Sequence, residues 1–366
     1  MQLRGVGVLQ VEPTDHCNLS CSMCAPHHER WEQVHRVPKG YLDPHLWRET
    51  LHSFVEDNLQ LDHIIFQWLG DPSLHPELST LITDAARLLS GRVDYLRLDT
   101  NGILLTPPRI DALLDALAAI PDAPPLLVVF TLDAHTPPTY AAVKGQDALL
   151  RVRRHVRHLI RRRRQLGAAC RLNLQLQFVI QPGNDHEAGD FLAYWGDLLS
   201  CQGGAQWHDE IMFKRLSVGG GAAGQAAADA LYERTVRAAG IAPGPRGGAH
   251  VLVWEQRPWQ NDDAHTGPRT ACPGLWLTPV IRHDGGLMMC CADLGGELAL
   301  GSLREHSFRE LWWGPAATKK RRDHLQGTFE GVCASCGGIN WYTLTPEATA
   351  DAENRAIQGL NVNTFS

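Results

Sequence analysis

The chain has 366 residues, 44% of them hydrophobic and 20% charged, enough for one large domain plus a smaller one. A net charge of −6 argues against a nucleic-acid binder, which carries a basic excess. No apolar run approaches the roughly 18 residues of a membrane span, and Met1-Gln2-Leu3-Arg4-Gly5 lacks signal-peptide form, so a cytoplasmic protein is expected.

The first predicted element is a buried strand over Gly5–Glu12, closed by Pro13. It leads into Cys17-Asn18-Leu19-Ser20-Cys21-Ser22-Met23-Cys24, which holds three of the ten cysteines. In a reducing compartment such cysteines read as metal ligands or catalytic thiols rather than disulfides. Three thiolates from one short loop can hold three corners of a [4Fe–4S] cube and leave the fourth iron open. A zinc site would close with a fourth ligand, and His16, His27 and His28 lie near enough that spacing leaves both metals possible.

A second strand, His63–Trp68, exits into Gly70-Asp71-Pro72, and a third, Val93–Asp99, into Thr100-Asn101-Gly102. A fourth, Leu126–Leu132, is followed by Asp133; the fifth and sixth are Arg171–Ile180 and Glu210–Leu216. Helical patterns over Pro76–Leu89, Pro108–Ile120 and Leu149–Leu166 lie between them. This alternation indicates βαβ units and a parallel sheet, whose ligands bind at the carboxyl ends of the strands. The polar motifs all fall at those ends, so they are expected to build one site.

On the fifth strand Asn173, Gln175 and Gln177 alternate with Leu172, Leu174 and Leu176, which puts the amides on one face. Either that face meets solvent on an edge strand, or it lines a lumen suited to a hydroxyl-rich ligand; the lumen is the reading adopted. Arg151–Arg164 contains eight arginines, yet Val152, Val156, Leu159 and Ile160 recur at helical spacing. Most of the arginines are therefore expected on a solvated helix face, as are Lys319-Lys320-Arg321-Arg322, with docking of an acidic redox protein as the other option. Between Val218 and Thr270 the composition turns rich in Gly, Ala and Pro, which marks a domain junction.

A second set, Cys272, Cys290, Cys333 and Cys336, has intervals of 17, 42 and 2 residues. Four cysteines close a site completely, fitting structural zinc or a fully ligated [4Fe–4S] cluster. The run Leu275–Cys290 reads as a hairpin around Asp284-Gly285-Gly286, and Phe308–Gln326 as a helix over it. Cys291 is a leftover thiol beside Cys290, and spacing does not settle which of the two is the ligand.

Taken together, the Cys17/Cys21/Cys24 loop, Gly70-Asp71-Pro72, Thr131-Leu132-Asp133, and the pattern Cys272-Pro273…Trp276…Asp284-Gly285…Cys290-Cys291-Ala292-Asp293…Cys333-x-x-Cys336 resemble radical S-adenosylmethionine (SAM) enzymes with a SPASM/twitch auxiliary domain. The spacing of the later cysteines is most similar to the aminoglycoside-pathway carbohydrate dehydrogenases and epimerases. The resemblance implies an α/β fold, a partial (β/α)6 TIM-like barrel over residues 1–218, a linker or insertion over 219–270, an auxiliary domain over 271–345 and a tail over 346–366. It implies two [4Fe–4S] clusters, the first on Cys17, Cys21 and Cys24, the second on Cys272, Cys290, Cys333 and Cys336. SAM would be held around Met23, Gly70, Asp71, Pro72, Asn101, Thr131, Asp133, Asn173, Gln175 and Gln177. Two departures stand out: the family usually has Gly-Glu-Pro where this chain has Gly70-Asp71-Pro72, and an aromatic residue where it has Met23. No further domain is expected ahead of the first strand, where many peptide-modifying members carry a leader-binding module.

The chemistry so implied is cleavage of SAM by an electron from the first cluster, giving a 5′-deoxyadenosyl radical that takes hydrogen from a substrate C–H. The electron would come from a flavodoxin- or ferredoxin-type donor. A carbinol radical would then lose a proton and an electron to yield a ketone, or take hydrogen from a thiol and invert. Among Cys170, Cys201 and Cys291, Cys291 is the best-placed hydrogen donor, and Lys214 and Arg215 are the candidates for holding substrate oxygens, at most one of them facing inward. Three readings follow: a sugar or aminocyclitol dehydrogenase or epimerase in antibiotic biosynthesis, a peptide maturase, or a zinc-stapled binding protein without catalysis.

Overall fold

A computed structural model describes residues 6–24, 38–199, 209–217, 222–246, 249–253 and 271–336. Six strands follow one another in parallel: β1 (Val6–Val11), β2 (Leu61–Phe66), β3 (Val93–Thr100), β4 (Leu126–Thr131), β5 (Leu172–Ile180) and β6 (Glu210–Arg215). The crossovers carry α1 (Pro44–Glu56), α2 (Leu78–Leu88), α3 (Pro107–Ala118), α4 (Pro137–Lys144), α5 (Leu149–Leu166) and α6 (Ala188–Gly196). All six expected strands and the three expected helices are present, and the architecture is the α/β partial (β/α)6 barrel anticipated.

Within residues 219–270 the described parts form α7 (Ala222–Ala238), β7 (Gly244–Arg246) and β8 (Ala249–Val253). The β8 strand pairs in parallel with β6, so this stretch extends the sheet. Beyond Cys272 come α8 (Gly274–Leu277), β9 (Val280–Ile281), β10 (Gly286–Met288) and β11 (Ala299–Ser302). At the other edge β9 joins β1 in parallel, giving the order β11-β10-β9-β1-β2-β3-β4-β5-β6-β8-β7. The hairpin around Asp284-Gly285-Gly286 is present, but its first expected run, Leu275–Leu277, is a helical turn. The single helix expected over Phe308–Gln326 is two, α9 (Phe308–Trp312) and α10 (Pro315–Leu325). Pro315 has no N–H to continue the α9 ladder, and Gly314 packs so tightly that a Cβ there would sit 2.2 Å from the Glu310 carbonyl oxygen. The last helix is α11 (Val332–Ser335), which carries Cys333.

Period two divides the barrel strands into two faces. Leu9, Ile64, Phe66, Leu96, Leu98, Val128, Phe130, Leu174, Leu176 and Phe213 are fully buried against the helices. Each such side chain contributes about 1.5–3 kcal/mol relative to exposure. The opposite face, turned inward, is where polar side chains collect. On α5, Val152, Val156, Leu159 and Ile160 are buried while Arg151, Arg154, Arg157, Arg161 and Arg164 are exposed, as the spacing predicts. Arg163 is the exception: it forms a buried bidentate pair with Asp209 at 2.6 Å. Among the described residues no helix is long and apolar enough to cross a membrane.

Candidate active site

The cysteine loop leaves β1 and is held by the carboxyl-terminal exits of its neighbours. Ser20 N donates to the Lys144 carbonyl at 3.2 Å and Ser22 N to that of Val143 at 3.1 Å, at the end of α4. Gln146 Nε2 reaches the Asn18 carbonyl at 2.7 Å, and Gln181 Nε2 points to Met23 Sδ at 3.4 Å. From β2, Asp71 N donates to the His16 carbonyl at 2.9 Å. Two glycines allow this approach: a Cβ on Gly70 would lie 2.3 Å from the Thr14 carbonyl oxygen, and one on Gly145 would lie 2.1 Å from Ser20 Oγ. The three thiols are half-buried neighbours. Burial, reinforced by their mutual repulsion, pushes Cys17 up to about 11 and Cys24 up to about 12. Such thiols ionise only when a metal supplies compensating charge.

The polar motifs do converge at the strand exits, but several side chains are occupied by protein partners. Asp71 accepts from Ser73 N at 2.9 Å, Thr100 Oγ1 at 3.0 Å and Asn101 N at 2.6 Å. Burial raises its pKa, and these donors pull the other way. The shorter carboxylate thus caps the turn that begins at Pro72 and ties β2 to β3. Asn101 Nδ2 donates to Asn18 Oδ1 at 2.8 Å, which carries that tie on to the cysteine loop. Asp133, expected near the SAM ribose, is buried at a left-handed φ of 55°. It is ion-paired with Lys144 and accepts from Val179 N at 2.7 Å, so both oxygens serve the strand exit. Burial works against the Lys144 charge, but Asp133 outweighs it and holds the ammonium well above the usual lysine range.

Below the loop, register brings one inward face together. Gln175 pairs with Glu210, Gln177 with Met212 and Val179 with Lys214, while Thr131 lies opposite Gln177. Asn173, Gln175 and Gln177 are buried, so the amides line a lumen and not an exposed edge. Gln177 Nε2 donates to Gln175 Oε1 at 2.8 Å, and Gln175 Nε2 to Glu210. The sequence reading missed the facing wall. Tyr95, Arg97 and Asp99 alternate with Leu96 and Leu98 on β3, the same signal that exposed the amides of β5. Arg97 holds Asp99 through Nε and Nη2 at 2.6 and 2.7 Å, and His63 stacks on Tyr95 with centroids 4.4 Å apart. Burial, with Arg97 nearby, pulls His63 down to about 3, so its ring is neutral. Of the two candidate cations on β6, Lys214 lies on the lumen face, whereas Arg215 lies on the other and pairs with Asp229 of α7 at 2.7 Å. Arg215 therefore anchors α7 and is not placed to hold substrate.

The second cysteine set assembles against the same mouth. Cys290 and Cys333 are buried, and Cys272, Cys290 and Cys336 are close enough to Cys333 to raise its pKa, after the larger effect of burial. Ala292 N donates to Cys290 Sγ at 3.4 Å, a contact suited to a thiolate ligand, while Cys291 lies beside Cys290 and Thr278. Trp68, at the β2 exit, donates its indole N–H to the Cys291 carbonyl at 3.0 Å. A second clamp is buried: His283 Nδ1 donates to Glu12 Oε2 at 2.8 Å and Nε2 to the Pro38 carbonyl at 3.1 Å. Cys170 stands before β5, at the end of the barrel opposite the cysteine loop, so it is not a hydrogen donor to this site. His27, His28 and Cys201 lie outside the described residues. The nine described cysteines are all free thiols, and among the described residues no three Cys, His, Asp or Glu side chains close around a single ion. A cubane does not need that convergence, since each thiolate meets a different iron.

Residues 11–172 match the family model of the Radical SAM superfamily, and residues 272–337 that of an iron–sulfur cluster-binding (SPASM) domain. The chain thus carries a radical SAM domain followed by a SPASM domain. Over 112 residues it is 32% identical to the tungsten-containing aldehyde ferredoxin oxidoreductase cofactor-modifying protein of Pyrococcus furiosus, a match to 31% of this chain and 27% of that one. Its fold is similar to that of anSMEcpe with bound AdoMet, at a TM-score of 0.57 and 13% identity over 96% of each chain. It is also similar to Streptococcus suis SuiB bound to S-adenosylmethionine, at 0.56 and 14% identity, covering 91% of this chain and 71% of that one. A radical SAM domain takes a [4Fe–4S] cluster and SAM, and a SPASM domain takes additional iron–sulfur centres. Both cysteine sets fit those groups: three grouped thiols in one, and four close thiols with an amide on Cys290 Sγ in the other.

Proposed function

We propose that this radical SAM enzyme dehydrogenates a carbinol of a sugar or aminocyclitol, in cytoplasmic antibiotic biosynthesis, with electrons from a flavodoxin- or ferredoxin-type donor. The observation that carries the reading is the buried hydrogen-bonding lumen formed by Asn173, Gln175, Gln177 and Glu210 under the cysteine loop. A hydroxyl-rich ring can satisfy such a wall, whereas an apolar substrate would leave it unpaired. In this reading residues 1–218 form the radical SAM barrel, 219–270 an insertion and 271–345 the auxiliary domain. Cys17, Cys21 and Cys24 hold the first cluster, and Cys272, Cys290, Cys333 and Cys336 the second. When bound, the first cluster and SAM supply a hydrogen-abstracting radical. The protein's own residues bind and orient. Met23, the Gly70–Pro72 backbone and Thr131 border SAM, Asp71, Asn101 and Asp133 keep their loops in place, and Lys214 faces the incoming substrate at the mouth. The Trp68 contact to Cys291 supports the second site as the electron acceptor that dehydrogenation requires. Cys291 as hydrogen donor would instead make the enzyme an epimerase.

Peptide modification is the second reading, because the similar folds of SuiB and anSMEcpe occur with a precursor peptide and with the Cp18Cys peptide. Reduced, reconstituted enzyme incubated with SAM and candidate aminocyclitols in deuterated buffer separates the cases. One equivalent of ketone per 5′-deoxyadenosine supports dehydrogenation, and deuterium in an inverted product that is lost in Cys291→Ala supports epimerisation. Turnover of a peptide alone overturns both.

A further inference from the structure

The cysteine loop is not sealed inside the barrel. Ser20 and Ser22, which stand between its thiols, are exposed, and Cys17, Cys21 and Cys24 are half-buried. Two large apolar side chains are exposed among the described residues, Tyr41 at 47% and Leu150 at 57%, and both border this loop. Tyr41 stacks on His16, the residue before Cys17, with ring centroids 5.0 Å apart. Leu150 lies in the first turn of α5, four residues after Gln146, whose amide holds the Asn18 carbonyl at 2.7 Å. His16 and Asn18 are two residues apart in the chain and so within ~7 Å of each other, which puts the two apolar groups at the edge of one patch.

Charge gathers there too. The α5 helix has eight arginines and no carboxylate, in a chain of net charge −6. Its first turns present Arg151 and Arg154 to solvent on either side of buried His155. That ring lies 2.9 Å from the Gly102 carbonyl, next to the Asn101 that ties the β3 exit to Asn18. Arg162 and Arg163 are matched by Asp111, Asp115 and Asp209. No described carboxylate lies within 4.0 Å of Arg151 or Arg154, that of Asp147 just before the helix included. Like charges three residues apart destabilise a helix, so this pair is not there for the fold. The other basic run is spent: Arg321 is buried on the Leu275 and Trp312 carbonyls, Lys319 pairs with Asp323 at 2.8 Å, and Lys320 donates to the Glu330 carbonyl at 3.2 Å.

We infer that the rim of the cysteine loop bounded by Tyr41, Leu150, Arg151 and Arg154 is the docking surface for a one-electron carrier protein with an acidic face. The inference rests on the donor named above and adds where it binds and by what chemistry. Electron-transfer encounters bury less than about 1,200 Å² in total, so a small patch around the loop suffices. Tyr41 and Leu150 supply its dry contact, and the two arginines steer an acidic face onto it. One electron leaves the carrier and reduces the first centre by one; no atom is transferred.

Biolayer interferometry of the reconstituted enzyme against a flavodoxin and a ferredoxin, each with an acidic face, tests it. Wild-type affinity should fall steeply between about 50 and 500 mM salt, as the Debye length shortens from ~14 to ~4 Å. Arg151→Glu combined with Arg154→Glu should weaken binding about tenfold at low salt and flatten that slope. Leu150→Ser should weaken binding and leave the slope unchanged. At about 150 mM salt the same reversal at Arg161 and Arg164, ~15 Å further along α5, should have the smaller effect, being more than a Debye length away. Salt-independent affinity in the wild type would overturn the inference and needs no variant to fold. So would binding unchanged by reversal at Arg151 and Arg154, or weakened equally at Arg161 and Arg164; either leaves the donor reading standing. A duplex oligonucleotide held by the same arginines in preference to both carriers would assign this face to nucleic acid and overturn it too. Binding of neither carrier would overturn the inference and the donor reading together.

Discussion

A Cβ on Gly70 would stand 2.3 Å from the Thr14 carbonyl oxygen and 2.6 Å from that of His16, both backbone atoms that cannot rotate away. Gly70→Ala is therefore expected to push the β2 exit off the cysteine loop, costing about 1–3 kcal/mol as overpacking does. The protein should melt earlier and take up less iron at the first site on anaerobic reconstitution; full iron at wild-type stability would refute the docking role. The neighbouring Asp71 explains why a residue one methylene shorter than the family's Glu suits this chain. Its carboxylate caps the turn two residues on and, from the loop after β2, reaches Thr100 and Asn101. That use was not readable in advance, because three of its partners belong to the β3 exit or the turn and only the folded sheet brings them close. Asp133 shows the same limit: its place after β4 was evident, but its pairing with Lys144, one α4 helix away, was not.

Among the elements, the seam between β1 and the β9–β10 hairpin holds the two cysteine sites together. His283 has an acceptor at each ring nitrogen, Glu12 on one side and Pro38 on the other, so it is an imidazolium. Burial opposes that charge, but Glu12, Asp15 and the Pro38 carbonyl outweigh it and raise the His283 pKa above the ordinary value of 6.5. A raised folded-state pKa contributes stability that is complete below the unfolded value and is lost as pH climbs through the folded one. The stability gap between wild type and His283→Gln should therefore be widest near pH 6 and narrow on the alkaline side. Thermal melts across that range check it, and a gap independent of pH would exclude the charged clamp. Elements also show what alternation can and cannot disclose. The β5 amides were legible from their spacing with leucine, and Tyr95, Arg97 and Asp99 on β3 follow the same rule. The break between α9 and α10 was signalled by Gly314-Pro315. By contrast β7 and β8 are short strands in a Gly- and Pro-rich stretch, with too few residues to establish a period.

At the scale of the whole molecule, two cubanes require about eight irons per chain. Cys24→Ala should lower that by about four while leaving the second site filled, and Cys336→Ala should do the converse. Cys290→Ala should empty the second site and Cys291→Ala should not, since Cys290 Sγ is the sulfur that accepts the Ala292 N–H. Iron analysis with electron paramagnetic resonance separates these variants, and loss of the second centre in Cys291→Ala alone would reverse the assignment.

What the sequence alone determined was the set of parts: six parallel strands with their helices, a three-cysteine loop behind the first strand and a four-cysteine set near the carboxyl end. Local pattern carries that information, because strand period, helix period and cysteine spacing are all properties of neighbouring residues. What only the tertiary structure decided was which polar groups are spent on each other and which remain for a ligand. Asp71 with Asn101, Asp133 with Lys144, Arg97 with Asp99, Arg215 with Asp229 and Glu12 with His283 are mostly pairs made across strand exits or across the barrel seam. Burial makes an unpaired charge costly, so these partners find each other in the fold, and the chemistry left over is what faces the lumen.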